Sequence, residues 1–170
     1  MNNKAAFFDR DGTIIKDVNY LSSLDQIEII IPAVKLCKML QNAGYLIFVV
    51  TNQSGIARGT FDESFVEATH CKIKELFEKE GVFIQKFYYC PHHTEFATIE
   101  KYKKDCFCRK PNPGMLLEAC KEFNLDMKNS FMFGDKLIDV QAGNAAGCKS
   151  LLIQNIFDSK IEKIEDLHSL

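Results

Sequence analysis

The sequence predicts an α/β fold in which a parallel sheet carries helices on both faces. Two observations lead to this prediction. Short apolar runs alternate with segments of helical periodicity in a βαβαβ rhythm, and the run Tyr45–Val50 is continuously apolar, as expected for a strand covered on both faces. The 170 residues, 46% of them hydrophobic, are expected to form a single domain, 1–170, with its own core.

The elements can be placed in order along the chain. Strands are predicted at 5–8, 45–50, 83–89, 130–133 and 149–153. Helices are predicted where apolar residues recur at helical spacing, at 33–43, 62–80, 113–124 and 137–147. Pro113 opens the third helix, and glycines at 44, 81 and 147 end the others. Residues 154–170 are expected to form a peripheral tail with one weak helix.

Composition and charge exclude several function classes. The formal net charge is −2 and the isoelectric point is about 6.1, so the chain lacks the basic surface of a nucleic-acid-binding protein. The N-terminus shows no apolar secretory leader, and the longest aliphatic stretch is too short to span a membrane. We therefore expect a soluble cytoplasmic protein. Thiols stay reduced in the cytoplasm, and seven cysteines, an odd number, argue against a complete disulfide framework.

Polar motifs follow the predicted strands or lie near their ends. They are DRDGT (9–13), TNQSG (51–55), CRKP (108–111) and GDKLID (134–139). In open parallel sheets, ligands bind beyond the carboxyl ends of the strands. We therefore expect these four motifs to meet at one edge of the sheet.

Each motif has a structural alternative to its chemical interpretation. Asp9 and Asp11 can divide nucleophilic attack and proton transfer, but Asp and Gly are also common in turns after strands. Thr51 offers a hydroxyl to an anion, or it belongs to a turn or helix cap. Lys110 is the cation expected for a dianionic group, although a lone basic pair is usually solvated.

The acidic residues are more informative together than singly. Asp135 ends a strand, and Asp139 lies one helical turn later, where an acid also suits the helix dipole. Four carboxylates, one threonine and one lysine at a single sheet edge indicate a magnesium and phosphate site, because Mg²⁺ prefers oxygen ligands.

The segment from Cys90 to Cys108 predicts a zinc-binding loop. Two close pairs of ligand residues, Cys90 with His92 and Cys106 with Cys108, have the paired spacing of a tetrahedral zinc site. A closed set of three thiolates and one imidazole makes the zinc structural. The alternatives are a Cys90–Cys106 disulfide or free thiols, as expected for the cysteines at 37, 71, 120 and 148. His93 is the alternative to His92 as a ligand, but it is expected to face solvent or to lie outside the ligand set. His70 and His168 stand alone and are expected to be inert.

The four motifs, in this order, resemble those of the haloacid-dehalogenase (HAD) phosphatase superfamily, and the resemblance covers residues 5–153. It implies a Rossmann-like HAD fold. Asp9 would be the nucleophile and Asp11 the acid and base, while Thr51 and Lys110 would hold the phosphoryl oxygens. The side chains of Asp9 and Asp135 and the backbone carbonyl of Asp11 would hold Mg²⁺, and Asp139 would lie outside this ligand set.

The Cys/His loop restricts the resemblance to one family within this superfamily. Together with TNQSGIARG and GDKLIDVQA, it is similar to the D-glycero-D-manno-heptose 1,7-bisphosphate 7-phosphatases, which lack a large cap domain and carry a zinc loop beside the site. Ser54 and Lys136 match that family better than the related histidinol-phosphate phosphatases, the alternative within the enzyme class. An alternative of another class is a zinc-bearing binding module without catalysis. The resemblance implies a monomer acting on a sugar bisphosphate. The expected substrate contacts are Asp17, Asn19, Tyr20, Asn52, Gln53, Ser54, Arg109 and Lys136.

Overall fold

The computed structural model describes residues 2–19, 21–159 and 161–170. Within these residues, a five-stranded parallel sheet has the strand order β3-β2-β1-β4-β5. Its strands are β1 (Lys4–Phe8), β2 (Tyr45–Asn52), β3 (Ile84–Cys90), β4 (Phe131–Gly134) and β5 (Lys149–Leu152). The predicted α/β class is confirmed. That residues 1–170 form a single domain stays a prediction.

Helices connect the strands. They are α1 (Ile31–Asn42), α2 (Glu63–Lys79), α3 (Gly114–Phe123), α4 (Leu137–Ala146), α5 (Ile153–Phe157) and α6 (Ile164–Ser169). The predicted ends of the first four helices and of the strands differ from the observed ends by at most two residues. Asp62 caps α2 through its carboxylate, which accepts from the Phe65 amide at 2.8 Å.

The sheet is buried on both faces, as its continuously apolar strands predict. In β1, Ala6 and Phe8 face a core shared with α1, α2 and the C-terminal segment. The alternate residues Ala5 and Phe7 face a second core shared with α3 and α4. Successive side chains of β1 therefore point into two different hydrophobic layers. Because a shift by one residue would exchange these faces, the two layers fix the register of β1 at the centre of the sheet.

The C-terminal segment belongs to the first of these cores, which corrects the prediction of a peripheral tail at 154–170. Ile156 and Leu167 are buried in the core cluster. The periodicity of so short a segment is weak, so the sequence does not show that two short helices, α5 and α6, pack their apolar residues inward.

The topology brings the carboxyl ends of β1, β2 and β4 together. Strand β1 lies between β2 and β4, so the chain changes direction across the sheet at this point, where open α/β sheets bind ligands. The loop after β1 folds back through an isolated bridge between Asp11 and Ile15. In the described part of the chain, no large cap covers this edge, and no helix has the length and apolar character that crossing a membrane requires.

Candidate active site

Lys110 lies at the centre of the polar cluster at this sheet edge. Its ammonium nitrogen Nζ lies 2.5 Å from Asp9 Oδ1 and 2.6 Å from Asp139 Oδ1, and it donates to the carbonyl of Val50 at 2.8 Å. The side chain is 1% exposed. Burial by itself lowers the pKa of Lys110, but the two carboxylates outweigh it and the pKa is raised. The lysine is therefore a fixed cation.

Asp9 follows β1 directly and is almost fully buried. Its backbone amide donates to the Phe133 carbonyl at 2.9 Å, which continues the pairing of β1 with β4 past the end of the strand. Burial raises the pKa of Asp9 to about 6 against the opposing effect of Lys110, and the neighbouring carboxylate of Asp139 raises it further. The site thus concentrates negative charge that one lysine only partly compensates.

Three carboxylates offer oxygens to a cation here. Ligand atoms of Asp9, Asp135 and Asp139 lie within 4.8 Å of one another. Both oxygens of Asp139 already have partners, since Oδ1 contacts Lys110 and Oδ2 accepts from the Lys136 amide at 3.0 Å. Asp135 Oδ1, in contrast, is buried without a hydrogen-bond partner among the described residues. An oxygen ligand left free beside Asp9 fits Mg²⁺.

Gly12 is required by this arrangement. Its φ angle is +78°, in the left-handed region, and a Cβ atom placed on it would lie 2.6 Å from Asp135 Oδ2. The glycine in the first motif therefore lets the loop after β1 approach the acid that ends β4.

Two residues of the second motif make contacts that the sequence does not specify. The Asn52 side-chain amide donates to the Lys110 carbonyl and accepts from the Lys110 amide, both at 3.0 Å. Thr51 is buried, and its hydroxyl oxygen accepts from Gln53 Nε2 at 2.9 Å. Asn52 thus clamps the backbone of Lys110.

Most of the predicted substrate contacts line a cavity of about 260 Å³ beside these carboxylates. Arg109 is not among its lining residues, and Tyr20 lies outside the described residues. An ion pair between Lys136 Nζ and Asp17 Oδ2, 4.0 Å apart, lies at the cavity. The predicted residues that line it are Asp11, Asp17, Asn19, Asn52, Gln53, Ser54 and Lys136.

The four predicted zinc ligands form one compact cluster. The sulfur of Cys90 lies 3.4 Å from that of Cys106 and 3.1 Å from that of Cys108. These separations exceed the S–S bond length of about 2.05 Å, so the described cysteines form no disulfide. His92 Nδ1 completes the cluster at 3.5 Å from Cys108 Sγ. Three sulfurs and one ring nitrogen at these separations fit a tetrahedral zinc ion.

His93 has a different environment from His92. Its Nδ1 accepts from the backbone amides of Glu95 and Phe96, both at 3.2 Å. The neighbouring His92, by contrast, directs its Nδ1 to the sulfurs. The geometry therefore favours His92 over His93 as a ligand.

Hydrogen bonds connect the Cys/His loop to α2 and also join its two ends to each other. Glu63, the first residue of α2, accepts hydrogen bonds from the hydroxyls of Tyr89 and Tyr102. At the other end, Arg109 Nη1 donates to the His92 carbonyl at 3.1 Å. The Arg109 side chain therefore depends on the ligand cluster for its position, whereas Lys110 is held by Asn52 and the carboxylates.

Sequence reasoning missed the partners of three residues. Asp139 was expected outside the magnesium ligands, and the structure pairs it with Lys110. Arg10 and His70 are buried near Asp11, although neither was expected at the site. The one signal in the sequence that Arg10 belongs to the site was its position beside an acid in DRDG, because a buried arginine requires an anionic partner.

Known proteins resemble this chain in sequence and in structure. A family model described as HAD-hydrolase-like matches residues 107–161. A D-glycero-beta-D-manno-heptose-1,7-bisphosphate 7-phosphatase of Pasteurella multocida is 46% identical over 151 residues, which cover 88% of this chain and 80% of the relative. The corresponding enzyme for the alpha anomer from Campylobacter jejuni is 43% identical over 156 residues, covering 91% and 84%.

A solved structure agrees with these relatives. The D,D-heptose 1,7-bisphosphate phosphatase of B. bronchiseptica, in complex with magnesium and phosphate, has a TM-score of 0.77 and 29% identity. The match covers 91% of this chain and 85% of that one. The resemblance drawn from the four motifs and the Cys/His loop is confirmed.

Proposed function

The chain belongs to the HAD-type D-glycero-D-manno-heptose 1,7-bisphosphate 7-phosphatases, and we propose that it hydrolyses the 7-phosphate of this sugar bisphosphate and leaves the 1-phosphate. One observation carries the proposal. The buried carboxylate of Asp9 lies against the fixed cation Lys110 and beside the free oxygen of Asp135. The proposed nucleophile, phosphate-binding cation and metal ligand thus lie together at one point.

The reaction would proceed in two displacements. An oxygen of Asp9 attacks phosphorus, and the bond from phosphorus to the sugar oxygen breaks, giving an aspartyl-phosphate and the sugar hydroxyl. Asp11 donates the proton that the leaving oxygen needs. Asp11, now a carboxylate, then takes a proton from the water that attacks the phospho-enzyme, which releases phosphate, restores the Asp9 carboxylate and returns Asp11 to its protonated form.

The remaining residues would stabilise the charge that moves between phosphoryl oxygens. The Thr51 hydroxyl and the Lys110 ammonium bind these oxygens, and Asp139 holds Lys110 in place. Asp9, Asp135 and the backbone carbonyl of Asp11 would hold Mg²⁺. When bound, Mg²⁺ reduces the repulsion between the carboxylate of Asp9 and an anionic substrate.

Zinc would have a structural role. The spacing of the sulfurs of Cys90, Cys106 and Cys108 and of His92 Nδ1 supports this, because all four ligand positions are filled by protein. Zinc bound there would hold the segment that leads into Arg109 and Lys110.

The cavity would bind the sugar and its second phosphate. Asp17, Asn19, Tyr20, Asn52, Gln53 and Ser54 are the proposed sugar contacts. Lys136, which lines the cavity, and Arg109, which does not line it but directly precedes Lys110, are the proposed cations for the 1-phosphate. Relatives for the beta and alpha anomers have nearly equal identity to this chain, so either anomer remains a substrate to test.

A substrate panel tests the proposed function. We expect phosphate release from D-glycero-D-manno-heptose 1,7-bisphosphate with Mg²⁺, and at least about 10³-fold less after Mg²⁺ is removed with EDTA. Histidinol phosphate and a 3′-phosphorylated oligonucleotide serve as controls for the alternative substrates. A higher kcat/KM for either control, or undiminished activity without divalent cations, would contradict the proposal.

Arg109→Ala tests the second-phosphate contact. The variant is expected to lose about 10- to 100-fold in kcat/KM for the bisphosphate, because a hydrogen bond to a charged group is worth about 1.5–3 kcal/mol. A monophosphate such as p-nitrophenyl phosphate should be affected much less. Lys103→Ala removes an exposed charge from the same loop and serves as control. Equal losses for both substrates would refute the role.

A further inference from the structure

Arg10 is a buried cation in contact with the proposed acid and base. Its side chain is 4% exposed, and its Nε donates to both carboxylate oxygens of Asp11, at 3.2 Å and 3.1 Å. Nη2 donates to Asp11 Oδ1 at 3.1 Å and lies 3.0 Å from Oδ2. A planar guanidinium that meets a carboxylate through two nitrogens fixes the plane of that carboxylate as well as its distance.

His70 lies against the opposite side of this guanidinium. Its Nε2 is 3.5 Å from Arg10 Nη1, and because arginine only donates, this ring nitrogen must be the unprotonated one. The imidazole stacks on Phe87 with the ring centroids 4.5 Å apart. Burial, and after it the charge of Arg10, lowers the pKa of His70 to about 3, so the ring is neutral at physiological pH and does not repel the arginine.

Gln53 connects Arg10 and Asp11 to the phosphate-binding side of the site. Its Oε1 accepts from Arg10 Nη2 at 3.0 Å. Its Nε2 donates to Asp11 Oδ2 and to the hydroxyl oxygen of Thr51, both at 2.9 Å. Arg10, Gln53 and His70, here called the Asp11 cradle, therefore hold the carboxylate in a fixed relation to Thr51.

We propose that Arg10, supported by Gln53 and His70, is the positioning residue that directs the Asp11 carboxylate towards the leaving oxygen. The proposal rests on the proposed phosphatase function and on Asp11 as its acid and base. Arg10 also lines the cavity, but Asp11, Gln53 and His70 already occupy its Nε, Nη2 and Nη1. A guanidinium engaged on three sides positions a neighbour and has little capacity to bind substrate phosphate directly.

The test uses the dependence of the rate on the leaving group. An alkoxide leaving from a sugar needs a proton in the transition state, whereas p-nitrophenolate leaves without one. The ratio kcat/KM reports only the steps up to departure of the leaving group, so it isolates the acid role of Asp11. For Arg10→Met we expect a loss of about 10²-fold or more with the sugar phosphate and less than about 10-fold with p-nitrophenyl phosphate.

Two further variants make the outcome decisive. Arg58→Met is the matched control, since Arg58 is half-buried and stacks on Phe96 away from Asp11, and it should leave the ratio between the two substrates unchanged. Should Arg10→Met fail to fold in thermal unfolding, His70→Leu removes the support behind Arg10 and should give a smaller shift in the same direction.

Two results would overturn the proposal. One is an equal loss with both substrates, which indicates a merely structural role. The other is a rise in KM for the sugar phosphate with kcat unchanged, which indicates a direct substrate contact. If the proposed substrate is wrong, the wild-type enzyme will not hydrolyse the heptose bisphosphate. The two variants are then compared with an alkyl phosphate that the wild-type enzyme does hydrolyse.

Discussion

Asp9→Asn is expected to abolish phosphate release, with kcat lowered by about 10⁵-fold or more. The amide has nearly the shape of the carboxylate, but its oxygen lacks the charge that attacks phosphorus. Neither Asp139 nor Asp11 can replace it without rearrangement. Both oxygens of Asp139 have partners, and Asp11 is held by Arg10 and Gln53. Steady-state phosphate release with excess Mg²⁺ measures the effect.

The same variant should remain folded. Lys110 keeps its contacts with Asp139 and the Val50 carbonyl, and its backbone stays clamped by Asn52. Burial disfavours the charged form of Asp9, so a neutral side chain removes part of that cost while it weakens one ion pair. The melting temperature should therefore change by only a few degrees, about 5 °C at most.

Asp158→Asn is the matched control for this prediction. Asp158 is exposed at the end of α5, and the same change there should leave both kcat and the melting temperature unaltered. Substantial turnover by Asp9→Asn, above about a hundredth of the wild-type rate, would rule out Asp9 as the nucleophile.

The fold and the location of the site could be predicted because both depend on local patterns. Continuously apolar strands specify a sheet that is covered on both faces, and parallel strands bring their carboxyl ends to one edge. Asp9, Thr51 and Asp135 meet for that reason alone. The C-terminal segment was less predictable, because the burial of Leu167 depends on contacts with distant residues that no local period reveals.

Pairings inside the site could not be predicted, because they depend on the directions of side chains in three dimensions. The motifs do not indicate that Asn52 turns towards the Lys110 backbone, or that Asp139 meets Lys110 Nζ. His70 lies in a helix with ordinary amphipathic spacing, so only the folded chain shows that it lies behind Arg10. Sequence motifs identify the reacting groups, whereas their supports come from elsewhere in the chain.

Cys106→Ser is expected to have the largest effect on stability. Serine is a poor zinc ligand, so zinc content should fall from about one ion per chain to a small fraction of that. The cluster joins Cys90 to Cys106, 16 residues apart. A cross-link that closes a loop of about 15 residues contributes about 3 kcal/mol to the free energy of unfolding. For a chain of this length, the melting temperature should fall by about 6–12 °C.

Elemental analysis and thermal unfolding check these values, with Cys71→Ser as the matched control. Cys71 is an exposed free thiol on α2, so its replacement should leave zinc content and melting temperature at wild-type values. Retention of a full equivalent of zinc by Cys106→Ser would refute the proposed ligand set.

The structure also predicts how catalysis should respond to the loss of zinc. Lys110 has anchors outside the ligand cluster, namely Asp9, Asp139, Val50 and Asn52, so the chemical step should largely survive. The Arg109 side chain is anchored only through the His92 carbonyl among the described contacts, and His92 belongs to the cluster. Cys106→Ser should therefore lower kcat/KM for the bisphosphate by about 10-fold or more, as is expected for Arg109→Ala, and should lower kcat/KM for p-nitrophenyl phosphate much less. Equal losses would mean that zinc supports Lys110 as well. In that case the anchors of Lys110 on β2, on α4 and directly after β1 are not sufficient to hold it without the Cys/His loop.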